Sequence, residues 1–164
     1  LIGIAIGTAV GLGDSTANPD LNARMAQLEM QLGSVNQQLL MSRLTATAPS
    51  ERLAAALEAA SLQQRDPAIA AALVQRAAID TVPSVRSAAI GALGNEINDT
   101  GVSMQLMAVL NENASPIVQL AIIDLILRHG NTTLVDSLKQ RWRAGAIHPS
   151  LSSYLEDIMG GMET

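Results

Sequence analysis

Apolar and polar positions divide the chain into three stretches with different rhythms. Residues 1–13, LIGIAIGTAVGLG, contain no charged side chain. Leu21, Met25, Leu28, Leu32, Val35 and Leu39 then follow at spacings of 4, 3, 4, 3 and 4. That rhythm is a heptad seam on one helix, with Met25, Leu32 and Leu39 at a and Leu21, Leu28 and Val35 at d. From Pro49 onward, apolar helical runs alternate with short polar breaks. Pro49, Pro83, Pro116 and Pro149 mark a period of 34, 33 and 33 residues. Self-similarity at that spacing predicts a stacked array of helical repeats.

The residues after each proline carry the repeat. Pro49-Ser-Glu-Arg-Leu-Ala-Ala and Pro83-Ser-Val-Arg-Ser-Ala-Ala share Pro, Ser, Arg and two Ala at offsets 0, 1, 3, 5 and 6. Pro116 keeps the offset-5 alanine as Ala121 and replaces the arginine with Gln119. Pro149 opens the most divergent copy, as terminal repeats often do. Proline suits a first helical turn because its missing N–H would have no intrahelical partner there. Each proline therefore predicts a helix start. The expected helices cover 49–63, 67–79, 83–96, 101–112, 116–129, 132–143 and 149–159, with Asp66 and Thr132 or Thr133 as N-caps. Gly130 is expected to supply a left-handed stop. Upstream, Asp20 is expected to cap a helix over 20–45, with a soft break at 45–49.

The apolar head is too short to span a bilayer alone, since a helix over 1–13 runs only roughly 20 Å against about 30 Å of hydrocarbon. The chain begins at Leu1 without an initiator Met. Gly3, Gly7 and Gly11 form the small-xxx-small ladder that lets membrane helices pack closely. Together these predict the C-terminal half of a transmembrane anchor, followed by a polar linker over 14–19. A secretory h-region remnant and a free apolar tail are the alternatives. Around the linker, Asp14, Asp20 and Glu29 outnumber Arg24, which places this flank on the non-cytoplasmic side. The expected location is the bacterial inner membrane, with the repeats in the periplasm. The seam has two readings of its own: an oligomerising coiled coil, or a capping helix packed on the first repeat.

Composition narrows the fold class. Apolar residues make up 48%, yet Trp142 and Tyr154 are the only aromatics. A core of Ala, Leu, Ile, Val and Met suits close helix packing better than a sheet, so the expectation is all-α. Net charge is −5 with a single lysine, Lys139, so the basic stripe that displaces counterions from nucleic acid is missing. No nucleic-acid partner is expected. The absence of cysteine excludes disulfides and thiolate metal sites.

The stretch Asp80-Thr-Val-Pro-Ser-Val-Arg-Ser-Ala-Ala-Ile-Gly-Ala-Leu-Gly94 resembles a HEAT-like repeat, of the short bacterial kind also seen in phycobilin lyases. It supplies the Asp, Pro, Val-Arg, Ala-Ala-Ile and Ala-Leu-Gly of that pattern once. The copies at Pro49 and Pro116 match in part, and the resemblance covers 49–159. Tetratricopeptide and ankyrin repeats share the period, but their signatures are missing. The resemblance implies a short α-solenoid, spanning 49–164, that serves as a protein-binding scaffold. In such arrays arginines like Arg52 and Arg86 form inter-repeat polar ladders, with Asp80 as the expected partner.

Catalytic signals are sparse. Neither His129 nor His148 has a second ligand at helical spacing, and there is no nucleophile elbow or phosphate loop. Asp124 interrupts an apolar run and is expected to pair with Arg128 four residues on. Lys139, Arg141, Trp142 and Arg143 gather cations around the sole Trp and form a candidate partner contact, with closure of the core by Trp142 as the plainer role. The expected function is a non-catalytic membrane-tethered scaffold without a cofactor. It would self-associate through the seam and dock subunits of a larger membrane complex. The alternatives are a soluble accessory or lyase-type protein that binds a small ligand or client, and a soluble oligomeric adaptor.

Overall fold

A computed structural model describes residues 19–62, 65–112 and 115–161. The described residues form eight α-helices, one 3-10 turn and no strand. The chain is thus all-α. The helices are α1 (Pro19–Leu44), α2 (Pro49–Ala60), α3 (Pro67–Ile79), α4 (Pro83–Ala92), α5 (Thr100–Glu112), α6 (Pro116–His129), α7 (Thr132–Arg143) and α8 (Ser152–Gly161). The 3-10 turn, Pro149–Leu151, leads into α8. No helix among the described residues is long and apolar enough to cross a membrane. The apolar head and its Gly3, Gly7 and Gly11 lie outside the described residues.

Contacts divide the chain into two units, residues 1–35 and 36–164. The described part of the first is helical, and exposed from Asp20 to Val35. The second begins with the last turns of α1, whose Leu40 and Leu44 are buried in the main core. There α2 packs on α4, and α4 packs on α6. On the other side α3 packs on α4 and α5, while α7 meets α6 and α8.

The proline period reappears as a burial period. At offset 6 the four copies carry Ala55, Ala89, Ile122 and Leu155, all fully buried. Offset 10 carries Ala59, Leu93, Ile126 and Met159, again fully buried. The two positions lie four residues apart, on one helical face. Offset 6 changes from alanine in the first two copies to a larger residue in the last two, while offset 10 is small only in the first, so the same sites serve against different neighbours. The most divergent copy, after Pro149, therefore keeps the inward positions and varies the outward ones.

Proline stands at the start of α2, α3, α4 and α6. Asp66 caps α3, its carboxylate accepting the Ala68 N–H at 2.8 Å. The cap of α7 is Asn131, which accepts the Leu134 N–H at 3.1 Å, so neither Thr132 nor Thr133 holds that position. Pro19 is the first described residue of α1, and Asp20 lies in its first turn. Two helices end earlier than the apolar pattern suggested. Ser61 closes α2 by donating its hydroxyl to the Glu58 carbonyl. Beyond α4, Leu93, Glu96 and Asp99 each donate three residues back, so the chain tightens into successive turns.

Gly130 departs from the expected left-handed stop: its φ is −70° and its ψ 151°. Glycine is needed there for space, because a Cβ would lie 2.5 Å from the Ile126 carbonyl oxygen. The left-handed stop is at Gly145, with φ +69°. Gly145 N–H donates to the Trp142 carbonyl at 3.0 Å, and Ala146 N–H donates to the Arg141 carbonyl at 2.9 Å. This pair is a Schellman motif that ends α7 immediately after Arg143.

Candidate functional site

The offset-3 side chains Arg52, Arg86 and Gln119, expected to form a structural polar ladder, bond to groups of neighbouring helices and loops. Arg52 donates Nε and Nη2 to the two Asp80 carboxylate oxygens, at 2.7 and 3.0 Å. Its Nη1 reaches back to the Ala46 and Thr47 carbonyls at 3.0 and 2.8 Å. Arg86 donates Nε to the Ala77 carbonyl at 2.8 Å, near the end of the preceding helix. Gln119, the residue in place of arginine, does both jobs. It donates to the Leu110 carbonyl at 3.2 Å and accepts the His148 N–H at 2.7 Å. The shared task is to satisfy backbone groups left over where helices end.

Asp80 is the hub of the first junction. Its side chain is fully buried, and it also accepts the Val82 N–H at 3.0 Å and lies 3.7 Å from Arg76. The Arg52 hydrogen bonds hold its carboxyl below the usual range against the opposing effect of burial. Arg86 loses some basicity through burial, and the nearby Asp80 charge partly offsets this.

A second polar line follows the loops within each pair. Arg65, with a side chain 1% exposed, grips Glu96 with both carboxylate oxygens at 3.0 and 2.7 Å. It also donates to the carbonyls of Ala59 and Ala92. One repeat further, Asn98 donates to the His129 carbonyl at 2.8 Å and accepts the Asn131 N–H at 2.9 Å. Arg65–Glu96 and Asn98–Asn131 are 31 and 33 residues apart, close to one repeat. The sequence shows no common residue type at these positions, so only the separation hints at them.

Asp124 has a different partner from the one expected. Its carboxylate accepts the Tyr154 hydroxyl at 2.6 Å, while Arg128 donates to the Asp124 backbone carbonyl at 3.2 Å. This joins α6 to α8 and raises the Tyr154 pKa. His148 holds the 3-10 turn, its Nδ1 accepting the Ser150 N–H at 3.2 Å. The His129 ring lies against Gly94, where an added Cβ would sit 3.5 Å away. Among the described residues, no three His, Asp or Glu side chains gather as a metal-holding group.

Exposed apolar surface among the described residues includes two notable features. Leu21, Met25, Leu28, Leu32, Val35 and Leu39 are each 53–64% exposed, so the heptad seam is an open apolar stripe. On the repeat unit, a groove between α3 and α5 is floored by Ala71, Val74, Ala78 and Val109. A second groove, between α5 and α7, is lined by Met104, Met107, Leu134 and Arg141. The four residues of the Lys139–Arg143 candidate have different surroundings. Arg141 lines that second groove and Trp142 rests against the core. Lys139 is half-buried and Arg143 is exposed. No protein-family model, curated protein or solved structure matches the chain.

Proposed function

We propose that the chain is a non-catalytic, membrane-tethered scaffold built on a HEAT-like α-solenoid. The seam of α1 joins copies of the chain, and the side bearing α3, α5 and α7 receives protein subunits of a membrane-associated complex. One observation carries this reading: six large apolar side chains at heptad spacing stay more than half exposed on a helix whose far end is anchored in a well-packed core. Exposed apolar stripes of that kind mark interaction surfaces. The polar residues of the repeats are occupied with backbone carbonyls and N–H groups, which suits a rigid support. Residues 1–13 supply the tether, with the repeats on the periplasmic side of a bacterial inner membrane.

The test is membrane fractionation of the full-length chain, then light scattering in detergent. The expected result is a membrane-bound protein whose protein mass is a multiple of that of the full-length chain. A protein that stays in the soluble fraction as a monomer refutes both the tether and the self-association.

A further inference from the structure

The charges that flank the seam determine how two copies meet. With Leu21, Leu28 and Val35 at d, the e positions are Asn22, Glu29 and Asn36, and the g positions are Arg24, Gln31 and Gln38. All six are polar, which confines the apolar stripe to a and d, the narrow seam of a two-stranded coil. Of the six, only Arg24 and Glu29 are charged, and both are exposed. They are five residues apart, so they point to different sides of their own helix. Two parallel, in-register helices bring each g position beside the partner's e position five residues on. Arg24 then meets Glu29 of the second copy, twice per dimer, and Gln31 meets Asn36 in the same way. In an antiparallel pair g faces g and e faces e. The only charged g residue is a cation and the only charged e residue is an anion, so no antiparallel register brings opposite charges together.

We infer that α1 forms a parallel, in-register homodimer closed by reciprocal Arg24–Glu29 pairs. This rests on the self-association proposed above and adds its orientation. Parallel pairing makes the segments preceding Pro19 leave from one end of the coil, so two tethers can enter the same membrane. Asp20 stands four residues ahead of Arg24 on the same helix and competes for it, which makes Glu29 the cleaner probe of the pair.

Cysteine cross-linking separates the orientations, because the native chain has no cysteine. Leu21 and Leu39 are roughly 27 Å apart along the helix at about 1.5 Å per residue. In full-length protein in detergent, mild oxidation should link Leu21→Cys to a second copy of itself. Ala23→Cys, on the opposite face, should remain uncross-linked. If Leu21→Cys fails to link while a mixture of Leu21→Cys and Leu39→Cys does, the pair is antiparallel and the inference is wrong. Equal cross-linking of Ala23→Cys also overturns it, since that is random collision. A wild-type chain that is monomeric by light scattering in the same detergent refutes the self-association itself, a distinct outcome.

The charges give a second readout. Arg24→Glu and Glu29→Arg should each weaken self-association by roughly five-fold, the scale of two exposed ion pairs turned into repulsions. An equimolar mixture of the two should recover it. A mixture no tighter than its components contradicts the reciprocal pairing.

Discussion

Gln119 is the sharpest test of how the repeats are held together. It is 4% exposed and bridges the Leu110 carbonyl at the end of α5 to the His148 N–H ahead of the 3-10 turn. Gln119→Leu preserves much of the volume but removes both the donor and the acceptor. Each buried backbone group left unpaired costs about 1–3 kcal/mol. Two such groups, less a small gain from the added apolar surface, give a net loss of about 2–4 kcal/mol. For a domain of this size that lowers Tm by roughly 8–15 °C. Gln119→Arg restores the residue type of the first two copies. It keeps a donor for Leu110 but offers no acceptor to His148, so its loss should be about half as large. Circular-dichroism melts of the three proteins check the ranking. A Gln119→Leu melt within about 2 °C of wild type refutes the bridging role, because it would mean that both backbone groups find partners without the side chain.

Three further substitutions test other parts of the fold. The folded-state pKa of Asp80 is lowered, chiefly by the Arg52 hydrogen bonds, so its stabilising contribution is complete above the unfolded value near 4. That contribution disappears as pH falls through the folded value. Asp80→Asn should therefore melt well below wild type at pH 7, with the gap closing on acidification below about pH 4; an unchanged gap in acid would remove the carboxylate from the explanation. Gly130→Ala should destabilise by about 1–3 kcal/mol, because its Cβ meets the Ile126 carbonyl oxygen at 2.5 Å. Gly91→Ala meets nothing within 4 Å inside α4 and should stabilise by about 0.5–1 kcal/mol. Chemical denaturation of both variants distinguishes the need for space from a general glycine effect.

The proline period was the most legible part of the fold, because proline does one local job wherever it occurs: it starts a helix. Pro67–Ile79 and Pro116–His129 are therefore bounded as the sequence predicts. Helix ends were harder to read. Ser61 and the turns after Leu93 stop their helices through backbone bonds that no apolar pattern encodes. Gly130 was recognisable as a terminator, but its reason is a nearby carbonyl and not its own φ. The Arg52–Asp80 pair was visible because Arg52 recurs at offset 3 and Asp80 belongs to the HEAT-like pattern that residues 80–94 resemble. Arg65–Glu96, Asn98–Asn131 and Asp124–Tyr154 were not, since their partners are about thirty residues apart and come together only when the helices pack. Trp142 stands apart from its cationic neighbours for a simple reason: on one helix, adjacent residues face about 100° apart.

Self-association through α1 is the central claim, and the pair Leu28→Asp with Leu32→Asp tests it most directly. Both leucines are about 60% exposed, so each has roughly 1–1.5 kcal/mol to gain on burial against a second copy. A dimer would lose four such leucines, or about 4–6 kcal/mol, which weakens Kd by about a thousand-fold or more. Light scattering in detergent, paired with a thermal melt, should show the oligomer falling to the mass of a single chain while the repeat unit melts as in wild type. An oligomer of unchanged mass, or a repeat unit that no longer melts cooperatively, would contradict the account.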